Sequence, residues 1–590
     1  MSWQGRSGLA LVYGAVLLAP LAWVLVTAME PGAGEAFSRA TGRADLAGEL
    51  ATSIFLALLT TLFAVLLGLP LALLLNLRRF PGRGLVRSLY LLPLLIPPHI
   101  HTIAWTRVIG DKGWLKLWLA ERFAWSPDVR AAIGEPGTDA LLGHLYPGPA
   151  WIMACAYFPL VVLAVGAGLR SLDSEGVDAA RLLGGRRAAL RRVILPQVAP
   201  RLLAGAAFVF ILSLTTYPVV SLLDTPTLVH RVFSVMSQAQ GSLATATMVG
   251  LPLVIVAGAV IFGLGRIESR TGLAQRAGVA PAKRRAGVGT LVAVVLLLAL
   301  SAGVPLGSLV YVAGPLNLSG SGDPDFYQQV FPRVDEAFAE SLLITGIAVL
   351  ALLILSWPLG RALARARGAL AESVSLGALA FPPEILGVAL LLIWSEAAAG
   401  VVPVWFTLLV ALGVALPALL RRPVRESLIA YGALAGSLFA LGMFVVESGL
   451  AETVQKRGFT LIVLAYLARF LPFTVRMLRT GFQALDKDEE DAARLCGHGA
   501  VSRAINVVGP RMAGAVAGAA VMGYVLCFTE LPATLHTIRP GWQSIQMRIF
   551  NMVHYQQIEE VCALCVMVVG MATIPVIVLV MLMRRRWDIL

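Results

Sequence analysis

The sequence predicts an all-α integral membrane protein, a polytopic helical bundle of about 14 transmembrane helices in two parallel repeats. Three observations predict it. The 590 residues are 58% hydrophobic and only 14% charged, which is more apolar surface than one soluble core buries. Many segments reach the roughly 20 apolar residues that a helix needs to cross about 30 Å of hydrocarbon. A pattern of acid, two alanines, arginine and glycine also occurs twice, as Asp178-Ala179-Ala180-Arg181 to Gly184 and as Asp491-Ala492-Ala493-Arg494 to Gly497.

In chain order, the first half carries expected spans at about 9–29, 51–77, 86–109, 150–169, 202–223 and 243–265. The run at 9–29 is too long for the apolar core of a signal peptide and reads as a retained span. The second half carries expected spans at about 287–314, 341–362, 372–395, 402–420, 428–447, 458–478, 513–535 and 561–583. No alternating segments of barrel-strand length compete with these helices. Cys562 and Cys565 form a CxxC inside an apolar helix without a second pair, which points to packing and not to a metal site.

Basic residues orient the chain. Arg78, Arg79, Arg83 and Arg87 follow the second span, Arg181, Arg186, Arg187, Arg191 and Arg192 follow the fourth, and Arg584 to Arg586 follow the last. Fourteen spans with both termini inside place all of these clusters in the cytoplasm. The net charge of +13 follows from the same bias and requires no nucleic-acid partner.

The Gly-, Ala- and Arg-containing stretch 267–286 reads as a cytoplasmic linker between two transmembrane domains, 1–266 and 287–590. Ser53 to Pro70 and Ser341 to Pro358 are both 17 apart, and Pro196 to Pro218 and Pro510 to Pro532 are both 22 apart. Pro98 to Asp178 is 80 residues but Pro383 to Asp491 is 108, which two extra spans near 402–447 explain. An even insertion keeps both repeated loops on one side, so the repeat is parallel.

Both loops resemble the EAA motif of the membrane-spanning subunits of binding-protein-dependent ABC importers. Asp178 and Asp491 stand in place of the motif's glutamate; the second copy keeps the spacing from Gly497 to Pro510, with Gly509 replacing a leucine, and the first is one residue short between Gly184 and Pro196. The resemblance implies a type I permease fold, in which Asp178, Ala179, Ala180, Gly184, Asp491, Ala492, Ala493 and Gly497 form coupling helices seated on an ABC ATPase. It implies two copies of that ATPase and an extracytoplasmic solute-binding protein as partners, in a bacterial inner membrane. No lysine stands in a GK[ST] context, so this chain is not expected to be an enzyme or to bind a cofactor; ATP and Mg belong to the partner ATPase. The fused two-half format resembles ferric-iron and thiamine permeases, with polyamine and phosphonate importers as neighbours, and ferric iron is the expected cargo.

Candidate pathway residues are the polar groups inside expected spans, where a charge costs about 3 kcal/mol on insertion scales. Glu384 follows Pro382-Pro383, and His99 follows Pro97-Pro98 at the matching place. Thr216 and Tyr217 precede Pro218, and Thr529 and Glu530 lie just before Pro532. Each is either a pathway residue or a structural hydrogen-bonding group. A secondary transporter also uses polar residues at broken helices, but it does not predict the paired loops.

Overall fold

The computed structural model describes residues 45–110, 147–170, 174–237, 243–271, 287–313, 334–364, 377–397, 459–485, 487–538, 542–554 and 558–587, with the pair 284–285 and a few isolated positions. Among these residues, nine helices are long and apolar enough to cross a membrane.

In the first half, α1 (Leu46–Leu77) starts at an Asp45 N-cap, whose carboxylate accepts the Gly48 N–H at 2.9 Å. Three short helices follow: α2 (Arg83–Leu89), α3 (Leu92–Leu95) and α4 (Pro98–Ile109). Then come α5 (Pro147–Arg170), α6 (Ser174–Ala189), α7 (Leu195–Leu214), α8 (Tyr217–Leu222), α9 (Leu228–Ser237) and α10 (Leu243–Thr271). Backbone pairing of Arg78–Arg79 with Arg284–Arg285, a parallel two-residue ladder, ties the end of α1 to the segment before the second half.

The second half opens with α11 (Val288–Leu298) and α12 (Val304–Val312), joined by a π-helical turn. It continues with α13 (Asp335–Leu363), α14 (Pro383–Ala397), α15 (Phe459–Gln483), α16 (Lys487–Leu495) and α17 (Ala500–Arg503). It ends with α18 (Gly509–Phe528), α19 (Pro532–Thr537), α20 (Ile545–His554) and α21 (Ile558–Trp587).

Four expected spans need correction. The stretch 86–109 is not one helix but α2, α3 and α4, broken around Pro93, Pro97 and Pro98. Similarly, 372–395 gives a short 3-10 turn, Gly377–Ala380, and then α14 after Pro382. The runs 202–223 and 513–535 each end early, at Leu214 and Phe528, and resume as α8 and α19. Proline is the common cause: it donates no N–H and crowds the carbonyl one turn back. Hydropathy sums over such a break, whereas backbone geometry does not. The expected spans at 9–29, 402–420 and 428–447 lie outside the described residues, and α10 runs into the expected linker as far as Thr271.

The two halves repeat the same packing. Helix α1 lies on α5 and α7, and α13 lies on α15 and α18. A Cβ at Gly68 would stand 2.8 Å from the Val161 Cβ, and one at Gly360 would stand 3.0 Å from the Arg479 backbone, so both contacts bring helices close through a small residue. Exposed Phe55, Leu62 and Leu66 on α1 recur as Leu343, Leu350 and Ile354 on α13, in the register that also relates Ser53 to Ser341. That exposed apolar stripe is suited to lipid in both halves, where an apolar side chain is the stable arrangement. The serines make matching bonds on the opposite side. Ser53 Oγ accepts the Leu228 N–H at the start of α9 (2.9 Å), and Ser341 Oγ accepts the Ile545 N–H at the start of α20 (3.1 Å).

The halves also interlock. Helix α4 packs against α12 and α21 of the second half, while α14 packs against α10 and α9 of the first. Ile96, Ile100 and Ile103 therefore share a core with Cys562 and Cys565, and Ile385 and Ala389 join the core of the first half. Both cysteines are buried and free, consistent with the packing role expected for them.

Candidate functional site

Two features of the repeat converge on function: a pair of loops at one end of the bundle and a cavity between the halves. In the first loop, α6 runs through Asp178 and Ala179, both exposed, and Ala180, which is half-buried; in the second, Asp491, Ala492 and Ala493 follow the same pattern on α16. Asp178 accepts from Arg181 at 2.7 Å, one turn along. The tips carry leucines in water: Leu182 is 89%, Leu183 90% and Leu495 89% exposed. Charged neighbours Asp178, Arg181, Arg186 and Arg187 make hydrocarbon a costly surrounding for the first tip.

The glycines differ from expectation in one copy. Gly497 has φ +82° and ends α16 in a Schellman motif, with His498 N–H bonded to Ala493 O and Gly497 N–H to Arg494 O, both at 3.1 Å. In the first copy the left-handed residue is Gly185 (φ +72°), not Gly184. Moving the turn along the chain, where a second glycine is available, shortens the first loop further: Gly185 to Pro196 is 11 residues, against 13 from Gly497 to Pro510. Past each turn the chain forms a π-helical turn, Leu190–Ile194 and Ala504–Val508, before α7 and α18. Leu195 N–H reaches back to Leu190 O, a wider loop that suits the missing N–H of Pro196.

The cavity has a volume of about 110 Å³ and lies between the halves. Its charged lining residues are Arg469 on α15 and Glu530 in the break between α18 and α19. Arg469 Nη1 donates to Glu530 Oε1 at 2.6 Å, and the same oxygen accepts the Ala533 N–H at 3.0 Å, capping α19. The first half contributes His99, Tyr157 and Thr216. Gln546 Nε2 donates to Phe528 O at 2.9 Å, which aims its Oε1 at His99 Nε2, 3.0 Å away; His99 is therefore the donor there. Thr216 gives its hydrogen to Leu212 O, so Tyr157 OH donates to Thr216 Oγ1 across 3.0 Å. A second chamber, of about 10 Å³, lies beyond Glu530 among Ser341, Thr345, Ser544 and Gln546.

Residues 64–270 match the family described as the binding-protein-dependent transport system inner membrane component. Over that stretch, about a third of the chain, the sequence is similar to the membrane component of binding-protein-dependent importers. Among similar proteins, this chain is 29% identical over 163 residues to a sulfate transport system permease of Salmonella typhimurium, covering 28% of this chain and 53% of that one. It is 26% identical over 273 residues to a putative 2-aminoethylphosphonate transport system permease of the same organism, covering 45% and 91%. It is 30% identical over 161 residues to a probable molybdenum ABC transporter permease of Haloferax volcanii, covering 27% and 52%. The chain thus spans about half the length of the sulfate and molybdenum proteins.

The fold brings four of the six expected pathway residues to one cavity: His99, Thr216, Thr529 and Glu530 all line it. Tyr217 does not; its ring stacks on Phe233 at 4.1 Å and its hydroxyl accepts from Ser221 at 3.0 Å. Glu384 also lies off the cavity, fully buried, with neither carboxylate oxygen hydrogen-bonded among the described residues. The residue missed from sequence is Arg469. Its signal was present, since an arginine at the centre of the expected span 458–478, which also holds Arg476 near its end, is itself costly and needs a partner.

Proposed function

We propose that this chain is the membrane-spanning subunit of an ATP-driven importer in a bacterial inner membrane, with both termini cytoplasmic. It supplies both transmembrane domains, 1–266 and 287–590, and works with two copies of an ABC ATPase and an extracytoplasmic binding protein. The observation that carries this reading is the pair of equivalent loops tipped by leucines that the protein leaves exposed. An ATPase cleft supplies cover for them, and burying one such leucine contributes about 1.5–3 kcal/mol. Each π-helical turn then connects its loop to a long helix, α7 or α18, that ends at the cavity. Rotation of the loops by ATP binding moves both cavity walls together, which is the geometry that alternating access requires.

The cargo we propose is a small oxyanion such as sulfate or a phosphonate. Arg469 is the cation of the cavity, and the similar proteins are named for sulfate, 2-aminoethylphosphonate and molybdenum. Ferric iron, suggested by the fused format, is the competing cargo. The assembly is tested by purifying the tagged chain from its native membrane and weighing the complex intact. Two ATPase copies per permease support the reading; a chain that purifies alone and takes up solute without ATP would make it a secondary transporter.

A further inference from the structure

Glu530 lines both chambers, and no other residue does. It closes the larger one by holding Arg469, so the ion pair is the partition between them. The bonding around that pair is uneven. Arg469 makes a single hydrogen bond among the described residues, to Glu530, which leaves most of its guanidinium donors without a protein acceptor. The other polar groups of the cavity are already committed: Tyr157 donates to Thr216, Thr529 donates to Val525 O at 2.7 Å, and His99 donates to Gln546. What this cavity has in excess is hydrogen-bond donors on one cation.

The smaller chamber has the complementary excess. Ser341 Oγ accepts the Ile545 N–H, and Ser544 Oγ accepts the Met547 N–H at 3.2 Å, while neither hydroxyl donates to an acceptor among the described residues. The chamber also sits at the N-terminus of α20, the positive end of that helix. A carboxylate is the group that satisfies two free hydroxyl hydrogens at a helix N-terminus.

We infer that Arg469 is an oxyanion subsite inside the membrane, occupied at rest by the Glu530 carboxylate, which cargo displaces toward the Ser341–Ser544 chamber. The exchange keeps an anion on Arg469 throughout, so the guanidinium is never left without a counter-charge. A cationic cargo has no such exchange available and meets the guanidinium first. The oxygens of a tetrahedral oxyanion match the planar guanidinium fork, as a carboxylate does. The subsite deepens the oxyanion reading given above and rests on it.

The test uses the full chain alone, in proteoliposomes loaded with labelled sulfate, and follows passive efflux. Glu530→Gln leaves Arg469 without its resident anion, and sulfate efflux is expected to rise several-fold while rubidium efflux stays at the wild-type level. Adding Arg469→Gln is expected to remove the rise. Unchanged sulfate efflux from an E530Q protein that melts and elutes normally overturns the inference, as does an equal rise for rubidium. If E530Q does not fold, Glu530→Asp retains the charge on a shorter arm: an efflux above wild type supports the subsite, and a wild-type efflux overturns it. Because no ATPase or binding protein is present, failure here removes the subsite and leaves the importer assembly to its own test.

Discussion

At the residue scale, the Arg469–Glu530 pair shows how a membrane interior accommodates charge. Glu530 is 5% exposed and Arg469 18%, so each desolvates the other's surroundings, and the bond between them offsets that cost only while both are present. Removing one partner is therefore expected to be far worse than removing both. Arg469→Leu or Glu530→Leu alone should cost about 3–5 kcal/mol, and the double variant clearly less. Unfolding of the detergent-solubilised protein by denaturant measures all three; a loss in the double variant equal to the sum of the two single losses would show that the pair carries no coupling. By contrast, the Glu49–Arg231 pair ties the start of α1 to α9 with its arginine a third exposed, and screening makes it weaker.

At the element scale, the two loops are the same device built with different glycines. Gly497 closes a Schellman turn, whereas the first copy turns one residue later, at Gly185. Asp178 binds Arg181 within its own helix, while α16 is tethered by Glu489 to Arg511 on α18. Replacing Leu182 and Leu183, or Leu495, by aspartate is expected to abolish ATPase association at that loop with little change in melting temperature, since about nine-tenths of each side chain already faces water. Co-purification of the ATPase reads the first outcome and a thermal melt the second; retained binding in the triple variant would exclude these tips as the contact. The shorter first loop is the weaker contact on this account, so disruption at Ala493 should reduce coupled uptake more than disruption at Ala180. Equal losses at the two alanines would contradict it.

The same scale shows what the sequence could and could not disclose. Span positions were legible because about 20 apolar residues can satisfy their backbone only as a helix in lipid. The breaks after Leu214 and Phe528 were partly legible, as Pro218 and Pro532, but a hydropathy window runs straight over them. Helices α9 and α20 carry polar residues such as Arg231 and Gln546, and their role in bracing α1 and His99 depends on contacts nearly two hundred residues or more away in sequence. Glu530 was identified as an intramembrane acid, but its cation on a different helix, Arg469, emerges only once α15 and α18 pack together.

At the scale of the whole molecule, the exchange of α4 and α14 between halves matters most. Each half contributes a helix to the other's core, which ties the two halves together at their seam. The cavity takes His99, Tyr157 and Thr216 from one half and Arg469 and Glu530 from the other, at the seam where a relative rotation has its largest effect. The loops lie at the far ends of α7 and α18 from that seam, and the π-helical turns join each loop directly to its helix. A partner that moves both loops thereby moves both walls. The most direct measurement of this account is uptake of labelled sulfate into cells that express the chain with its ATPase and binding protein. The account predicts uptake that requires a hydrolysis-competent ATPase and is lost when Leu182, Leu183 and Leu495 are all replaced by aspartate; sulfate uptake that persists without ATP hydrolysis, or in that variant, would contradict it.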